Sequence, residues 1–129
     1  MSEHQEQCAV IDYCELKKLP IFAIPNANAM SSQNRKMAMM NMVKLKKEGL
    51  KSGVPDLFLP VARGGFHGLF IEMKKPKTTK SPAGKLSDNQ KKWIKILSDQ
   101  GYKAVCCIGF DEAKAVIDEY VATPFDKCG

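Results

Sequence analysis

The feature that most constrains the fold is the alternation of short apolar runs with amphipathic, helix-like segments along a chain of 129 residues. Two of the runs are separated only by a glycine-containing loop, which predicts a hairpin, and the others are separated by helices. Strands joined by helices, with one central hairpin, indicate a mixed sheet with helices on its faces. We therefore predict a single α/β domain with a central mixed β-sheet flanked by helices.

Capping residues, apolar periodicity and turn residues set the predicted boundaries. Ser2 and Ser87 are each followed three residues later by a glutamine, the spacing of a capping box, and should begin the first and third helices. The basic segment 75–85 is expected to be a mobile loop. The predicted helices cover about 2–16 and 31–48, then begin at Ser87 and Asp111, and the predicted strands cover 19–24, 53–60, 68–74 and 103–108. We expect a domain over 1–121 and a flexible tail over 122–129.

Composition excludes several classes of protein. No apolar stretch approaches the roughly 18 residues that a membrane span needs, and the first residues lack the basic start and apolar run of a signal peptide. The five cysteines are odd in number and fall in no zinc or disulfide pattern, so we expect reduced thiols, mostly buried. The sequence therefore predicts a soluble cytoplasmic protein with no membrane partner.

The positive charge is concentrated in the middle of the chain. Residues 35–95 hold fifteen basic and four acidic groups, whereas the segments on either side are net acidic. A basic block of this kind is typical of a nucleic-acid-binding surface, because lysine and arginine neutralise phosphates and release counterions. The alternative is a solvated lysine-rich surface without a partner. The methionines at 30, 37, 39, 40 and 42 indicate core packing or a subunit contact rather than a ligand site.

An acid and an amine share one face of the strand 68–74. Side chains alternate along a strand, so Glu72 and Lys74 project to one side while Ile71 and Met73 project to the other. The preceding Leu-Phe-Ile run is typical of a buried central strand, where an unpaired charge is costly. These two residues therefore either form an ion pair on a solvated edge strand or serve a chemical purpose.

Asp56 favours the chemical purpose. It follows Pro55 at the start of the partner strand of the predicted hairpin, where its carboxylate could approach that of Glu72. Two carboxylates, a backbone carbonyl and water molecules provide the oxygen ligands that Mg²⁺ or Mn²⁺ prefers. Such an ion polarises a phosphate and lowers the pKa of a bound water, and Lys74 could orient that water or stabilise developing charge.

The spacing from Pro55-Asp56 to Glu72-x-Lys74 resembles the PD-(D/E)xK nuclease motif. The wider blocks are similar to the virus-type replication-repair nuclease (VRR-NUC) domain, specifically its small stand-alone versions in phages and prophages. These blocks are "IPNAN", "KLKKEGLKSGVPDLFLPVARGGFHGLFIEMKKPK", "LSDNQKKWIKILSDQGY" and "GFDEAKAVIDEY". The resemblance implies a restriction-endonuclease-like fold and metal-dependent cleavage of DNA, in the host cytoplasm if the protein is phage-encoded. It also makes Asn26 of the first block a weak site candidate.

The resemblance assigns roles to residues of this chain. It makes Asp56, Glu72 and the Met73 carbonyl ligands of Mg²⁺ or Mn²⁺, and Lys74 the catalytic lysine. It also matches Glu3 to an acidic ligand of the first helix and Gln90 to a catalytic glutamine. Both residues also have a purely structural interpretation. Glu3 is an acid in the first turn, which the helix dipole favours, and Gln90 is the glutamine of the capping box. Glu6 is the alternative candidate for the acid of the first helix. Phosphate contacts are expected from Arg35, Lys36, Lys75, Lys77 and Lys80.

The sequence thus predicts a small metal-dependent endodeoxyribonuclease that recognises DNA shape more than sequence, because its basic groups are nearly all lysine. The family resemblance implies a homodimer that cuts four-way (Holliday) junctions, for which two symmetric active sites are suited. The alternatives are a flap or repair-type nuclease, a nuclease that cuts near a defined sequence, and a DNA-binding module without catalysis.

Overall fold

A computed structural model describes residues 1–25 and 35–125, and within these ranges helices alternate with strands. Two helices begin with the predicted capping boxes. The Ser2 hydroxyl accepts a hydrogen bond from the Gln5 backbone N–H, and Ser87 and Gln90 repeat this arrangement. The elements are α1 (Glu3–Leu16), β1 (Phe22–Ala23), α2 (Arg35–Lys47), β2 (Leu57–Leu59), β3 (Leu69–Lys74), α3 (Asp88–Asp99), β4 (Lys103–Ile108) and α4 (Gly109–Ala122).

The strands form one mixed sheet in the order β1-β2-β3-β4. β1 and β2 are antiparallel, β2 and β3 form the predicted antiparallel hairpin, and β4 runs parallel to β3 along its whole length. The crossover between the two parallel strands contains α3, as a parallel connection requires. The predicted α/β fold with a mixed sheet flanked by helices is confirmed.

The main core lies on one face of this sheet, under α1 and α4. Alternate side chains of β2 and β3 are fully buried there, and each contributes about 1.5–3 kcal/mol relative to an exposed position. The helices supply the opposing side chains, of which Ile117 is the largest fully buried one. The buried apolar residues are Val10, Cys14, Leu57, Leu59, Leu69, Ile71, Met73, Cys107, Ala113, Ile117 and Tyr120.

One expectation about the elements before β2 was wrong. The segment 19–24 was predicted to be a buried strand, but β1 has only two residues, both exposed, because it lies at the edge of the sheet. Of the two roles expected for the methionines of α2, core packing does not apply, because no residue of α2 is buried and Met40 is 63% exposed; the subunit contact stays a prediction. Met30, Asn26 and the predicted start of the second helix lie outside the described residues.

The remaining expectations concern the cysteines, the loops and the chain end. The four described cysteines are free thiols, and Cys14 and Cys107 are buried, whereas Cys128 lies outside the described residues. Of the predicted tail, Ala122 still belongs to α4 and the Pro124 carbonyl accepts the Gly64 N–H; the domain division stays a prediction. No helix in the described ranges is long and apolar enough to span a bilayer.

Candidate active site

The register of β2 and β3 brings two carboxylates together. Leu57 pairs with Ile71 in the antiparallel ladder. Asp56, which precedes Leu57, therefore lies opposite Glu72, which follows Ile71. Residues directly opposite each other in a ladder project to the same face, here the face away from the main core. Asp56 is 7% exposed and Glu72 is 2% exposed. Two acids are therefore almost completely shielded from solvent at the end of the hairpin.

Asp56 is fixed by backbone contacts. Its carboxylate accepts a buried hydrogen bond of 2.7 Å from the Met73 N–H, and its own carbonyl accepts the Ile24 N–H at 2.8 Å. The Met73 side chain is buried in the main core on the opposite face, so Met73 can serve this site only through its backbone. The Asp56 carboxylate thus accepts the N–H of Met73, which lies two residues beyond Ile71, the last residue of β3 that pairs with β2.

Glu72 is held by one amide and one amine. The Gln90 side-chain N–H donates to Glu72 Oε2 at 3.3 Å, and Lys74 Nζ lies 3.9 Å from the same oxygen. Gln90 Oε1 accepts the Ser87 N–H at 2.8 Å, so this glutamine both caps α3 and contacts the carboxylate. The two readings of Gln90 from sequence are therefore compatible.

The other oxygen of Glu72 distinguishes this site from an ordinary ion pair. Oε1 is buried and accepts no hydrogen bond from an N–H or O–H group of the described residues, and a hydrogen bond between Glu72 and Asp56 requires a proton on one of the two carboxyls. An unsatisfied buried oxygen is rare in native proteins and calls for an explanation such as an ion or a water. Glu72 Oε1 is therefore available to bind a cation, unlike the carboxylate oxygens of a fully hydrogen-bonded salt bridge.

Burial and crowding of negative charge raise the pKa of Glu72 to about 9. Loss of solvation is the largest cause, followed by the hydrogen bond and repulsion from the Asp56 carboxyl, whereas the Lys74 ammonium lowers the pKa. The pKa of Glu3 is also raised, by burial and by repulsion from Asp56, with Lys74 acting against both. Without a cation, this group of acids carries more negative charge than its surroundings stabilise.

The two acids of the first helix have different surroundings. Glu3 is exposed and acts electrostatically on Glu72 across the site. Glu6 is buried instead, and its Oε1 accepts the Phe110 N–H at 3.4 Å at the start of α4. The buried residues of α1 are Glu6, Val10 and Cys14.

This difference gives a test of the two acids. Glu3→Ala is expected to lower metal affinity or cleavage about tenfold, the usual effect of an outer partner of a metal site, without loss of stability. Glu6→Ala should instead reduce the free energy of unfolding by about 1–2 kcal/mol, because it leaves the Phe110 N–H without an acceptor. Urea unfolding and Mn²⁺ titration of both variants distinguish the roles; the reverse pattern would make Glu6 the ligand.

Sequence reasoning missed one neighbour of the carboxylates. Cys106 of β4 pairs with Glu72 in the parallel ladder and therefore projects to the same face. Burial, followed by repulsion from Glu72, raises the pKa of its thiol. Only the parallel register of β3 and β4 places it there, and the sequence carries no signal for that register.

The predicted phosphate-binding residues lie on two elements, the first turn of α2 and the loop after β3. Arg35 and Lys36 are exposed in the first turn of α2, and Lys77 and Lys80 are exposed in the loop after β3. Lys75 differs, because it is half-buried and its Nζ donates to Ser81 Oγ at 2.9 Å.

The donor set suits Mg²⁺ or Mn²⁺ bound in part by solvent and substrate. Within the described ranges no three His, Cys, Asp or Glu side chains converge as a complete metal cage. Mg²⁺, however, is usually held by one or two carboxylates together with waters and substrate phosphates. Asp56, Glu72 through Oε1, and a backbone carbonyl such as that of Met73 fit this pattern.

Comparison with known proteins shows the family of the chain. The model of the VRR-NUC domain matches residues 2–111. The chain belongs to the VRR-NUC family. A solved structure of a "VRR_NUC domain protein" is 29% identical, with a TM-score of 0.77, and the alignment covers 98% of this chain and 94% of the other. No curated protein matches the chain significantly.

Membership fixes the general activity of this VRR-NUC protein. It is a nuclease of the PD-(D/E)xK type, and its substrate is DNA. The matched region includes all the residues predicted from sequence to serve the site, from Glu3 to Gln90. The family resemblance predicted from the sequence blocks is thereby confirmed.

Proposed function

We propose that this VRR-NUC protein is a Mg²⁺- or Mn²⁺-dependent endodeoxyribonuclease that cuts four-way DNA junctions as a homodimer. The observation that carries the proposal is the buried Asp56–Glu72 pair, in which no donor of the described residues reaches Glu72 Oε1. A structural ion pair would satisfy both oxygens. A pair of acids that repel each other, next to an amine, suits a cation and a phosphate instead.

Each side chain has a distinct task in this proposal. Asp56 and Glu72 hold the divalent ion, together with the Met73 carbonyl and, through outer contacts, Glu3. When bound, the ion supplies Lewis-acid stabilisation of the phosphate and a lowered pKa for the attacking water. Lys74 places a positive charge 3.9 Å from the Glu72 carboxylate, and its task is to act on the substrate phosphate. Gln90 fixes the rotamer of Glu72 through its amide.

DNA binding follows from the central basic block. Arg35, Lys36, Lys77 and Lys80 are exposed and suited to contact phosphates on either side of the scissile one. Lysine ammonium groups bind phosphates as point charges and do not read bases in the bidentate manner of arginine. Recognition should therefore depend on the shape of the DNA and weaken steeply with salt.

The surface of α2 supports a homodimer. No residue of this helix is buried, and Met39, Met40 and Val43 are each more than half exposed. Contiguous exposed apolar side chains on a soluble domain mark an interaction surface. A second copy of the chain would bury them and set two active sites around one junction.

The double substitution Met40→Glu with Val43→Glu is expected to convert the dimer to a monomer. Two unpaired charges in an apolar contact should raise the dimer dissociation constant by at least about 100-fold. Sedimentation velocity is the measurement, and Asn41→Glu, exposed on the same helix, is the matched control. A wild-type chain that sediments as a monomer at all concentrations would refute the homodimer.

The experiment that tests the activity is cleavage of a panel of labelled substrates. It contains four-way junction, flap, nicked duplex, linear duplex and single-stranded DNA, each with Mg²⁺, Mn²⁺ or EDTA, and each beside an Asp56 variant. Symmetric, metal-dependent cutting of the junction is the expected result. A preference for flaps would indicate a repair-type nuclease, and binding without cutting would indicate a DNA-binding module.

A further inference from the structure

The loop between β3 and α3 folds back on itself. The Gly84 N–H donates to the Lys75 carbonyl at 3.2 Å, which closes the segment 75–84 at its base. At its tip the Thr78 N–H donates to the Ser81 carbonyl at 2.8 Å, and the Thr78 hydroxyl accepts the Ser81 N–H at 3.0 Å. The expectation that this loop is mobile stays a prediction.

The base of this closed loop lies against Lys74. A methyl group added at Gly84 would come within 3.1 Å of Lys74 Cδ and 3.3 Å of Lys74 Cβ. Both distances are shorter than an ordinary carbon–carbon contact. The Gly84 backbone therefore lies beside the aliphatic stem of the lysine, and a side chain at this position would displace the stem by a few tenths of an ångström.

The backbone conformation does not itself require glycine at this position. Gly84 is not among the described glycines with positive φ, so an L-residue can adopt its conformation. The close approach to Lys74 is the remaining structural reason for glycine. This distinguishes Gly84 from Gly53 and Gly101, whose φ values of 93° and 91° favour glycine in any surroundings.

Lys74 depends on such a contact for its position. A lysine side chain has several rotatable bonds and loses much conformational freedom when it is fixed. The Lys74 side chain is nevertheless only 13% exposed, and its Nζ lies 3.9 Å from Glu72 Oε2, too far for a short ion pair to hold it. Packing of its stem against the Gly84 backbone thus restricts the positions that the ammonium group can reach.

We propose that Gly84 is a positioning residue of the nuclease site, because the close approach of its backbone holds the Lys74 stem and so places Nζ beside Glu72. The proposal rests on the proposed function, in which Lys74 acts on the substrate phosphate. It adds a requirement outside the PD-(D/E)xK motif, namely that the closed loop 75–84 presents a residue without a side chain to the lysine.

The test is Gly84→Ala, with Gly84→Val as a larger step. Displacement of the ammonium by a few tenths of an ångström is expected to lower kcat about tenfold in the alanine variant and further in the valine variant. KM and the dissociation constant for uncut DNA should not change. The unfolding midpoint of Gly84→Ala should stay the same or rise slightly, because alanine restricts the unfolded chain.

Thr79→Val serves as the control within the same loop, because Thr79 is exposed and lies between Thr78 and Ser81, which close the tip. Its kcat should equal that of the wild type. A wild-type kcat in Gly84→Ala, a defect confined to KM or DNA affinity, or a large fall in the unfolding midpoint would each overturn the positioning role.

Lys74→Ala separates this proposal from the proposed function. Loss of cleavage in Lys74→Ala together with a normal Gly84→Ala would overturn the role of Gly84 and leave the nuclease assignment in place. Wild-type cleavage in Lys74→Ala would overturn the assigned role of Lys74, and the role of Gly84 with it.

Discussion

Asp56→Asn is expected to lower DNA cleavage by at least about a thousandfold, because loss of a carboxylate that holds the divalent ion removes several kcal/mol of transition-state stabilisation. Asparagine has the shape of aspartate, and its amide oxygen can still accept the buried Met73 N–H. The fold should therefore survive the substitution. Cleavage rate, thermal unfolding midpoint and affinity for uncut DNA are the three measurements.

The comparison with Asp56→Ala separates charge from structure. Alanine also removes the acceptor of the Met73 N–H, so it should lose a further 1–3 kcal/mol or so of stability while being equally inactive. Asp12→Ala, on the exposed part of α1, is the matched control and should behave as wild type. A substantial cleavage rate in Asp56→Asn would show that the Asp56 charge is not needed for the reaction.

Metal-free protein should lose stability as the pH rises from about 5 to 8. The pKa of Glu72 is raised to about 9 in the folded chain from 4.5 in the unfolded chain. Between these values the folded protein keeps a proton that the unfolded chain gives up, so rising pH favours unfolding. The contribution of this one group is at most about 1.4 kcal/mol per pH unit.

Glu72→Gln isolates this effect. Glutamine mimics the protonated carboxyl and can donate to Asp56, so the variant should become more stable than wild type as the pH rises in EDTA. Glu15→Gln, exposed on α1, should follow the wild type. Urea unfolding at several pH values gives the slopes, and parallel wild-type and Glu72→Gln curves would contradict the raised pKa.

Added Mn²⁺ should act in the opposite direction. A cation displaces the proton from Glu72, so its binding releases a proton and stabilises the wild type more at pH 8 than at pH 5.5. Glu72→Gln should show little of this stabilisation. These measurements do not depend on DNA and therefore test the cation site apart from cleavage.

The elements near the site differ in how far sequence could predict them. The helices with capping boxes begin where Ser2 and Ser87 predict, because a cap is a local interaction between residues three apart. The edge strand β1 was predicted to be buried but is exposed, and the methionines of α2, for which core packing or a subunit contact was predicted, lie outside the core. Apolar composition indicates that a segment favours burial, but it does not show whether another segment packs against it.

The site shows the same division. The alternation of side chains along a strand is a property of the backbone, so the sequence itself assigned Glu72 and Lys74 to one face. Glu3 and Glu6 differ because Glu6 contacts the start of α4 at Phe110, more than a hundred residues later in the chain. A register between distant segments depends on packing that no local pattern encodes.

The sequence by itself determined the alternation of helices and strands, the capping boxes, and the family of the chain with its paired acids and lysine. The tertiary structure decided that Asp56 stands opposite Glu72, that Cys106 borders the pair, and that Gly84 lies against Lys74. The physical reason is the distance along the chain between the residues that interact. Caps and strand faces arise from neighbours a few residues apart, whereas the charge, burial and position of a catalytic group depend on every segment packed around it.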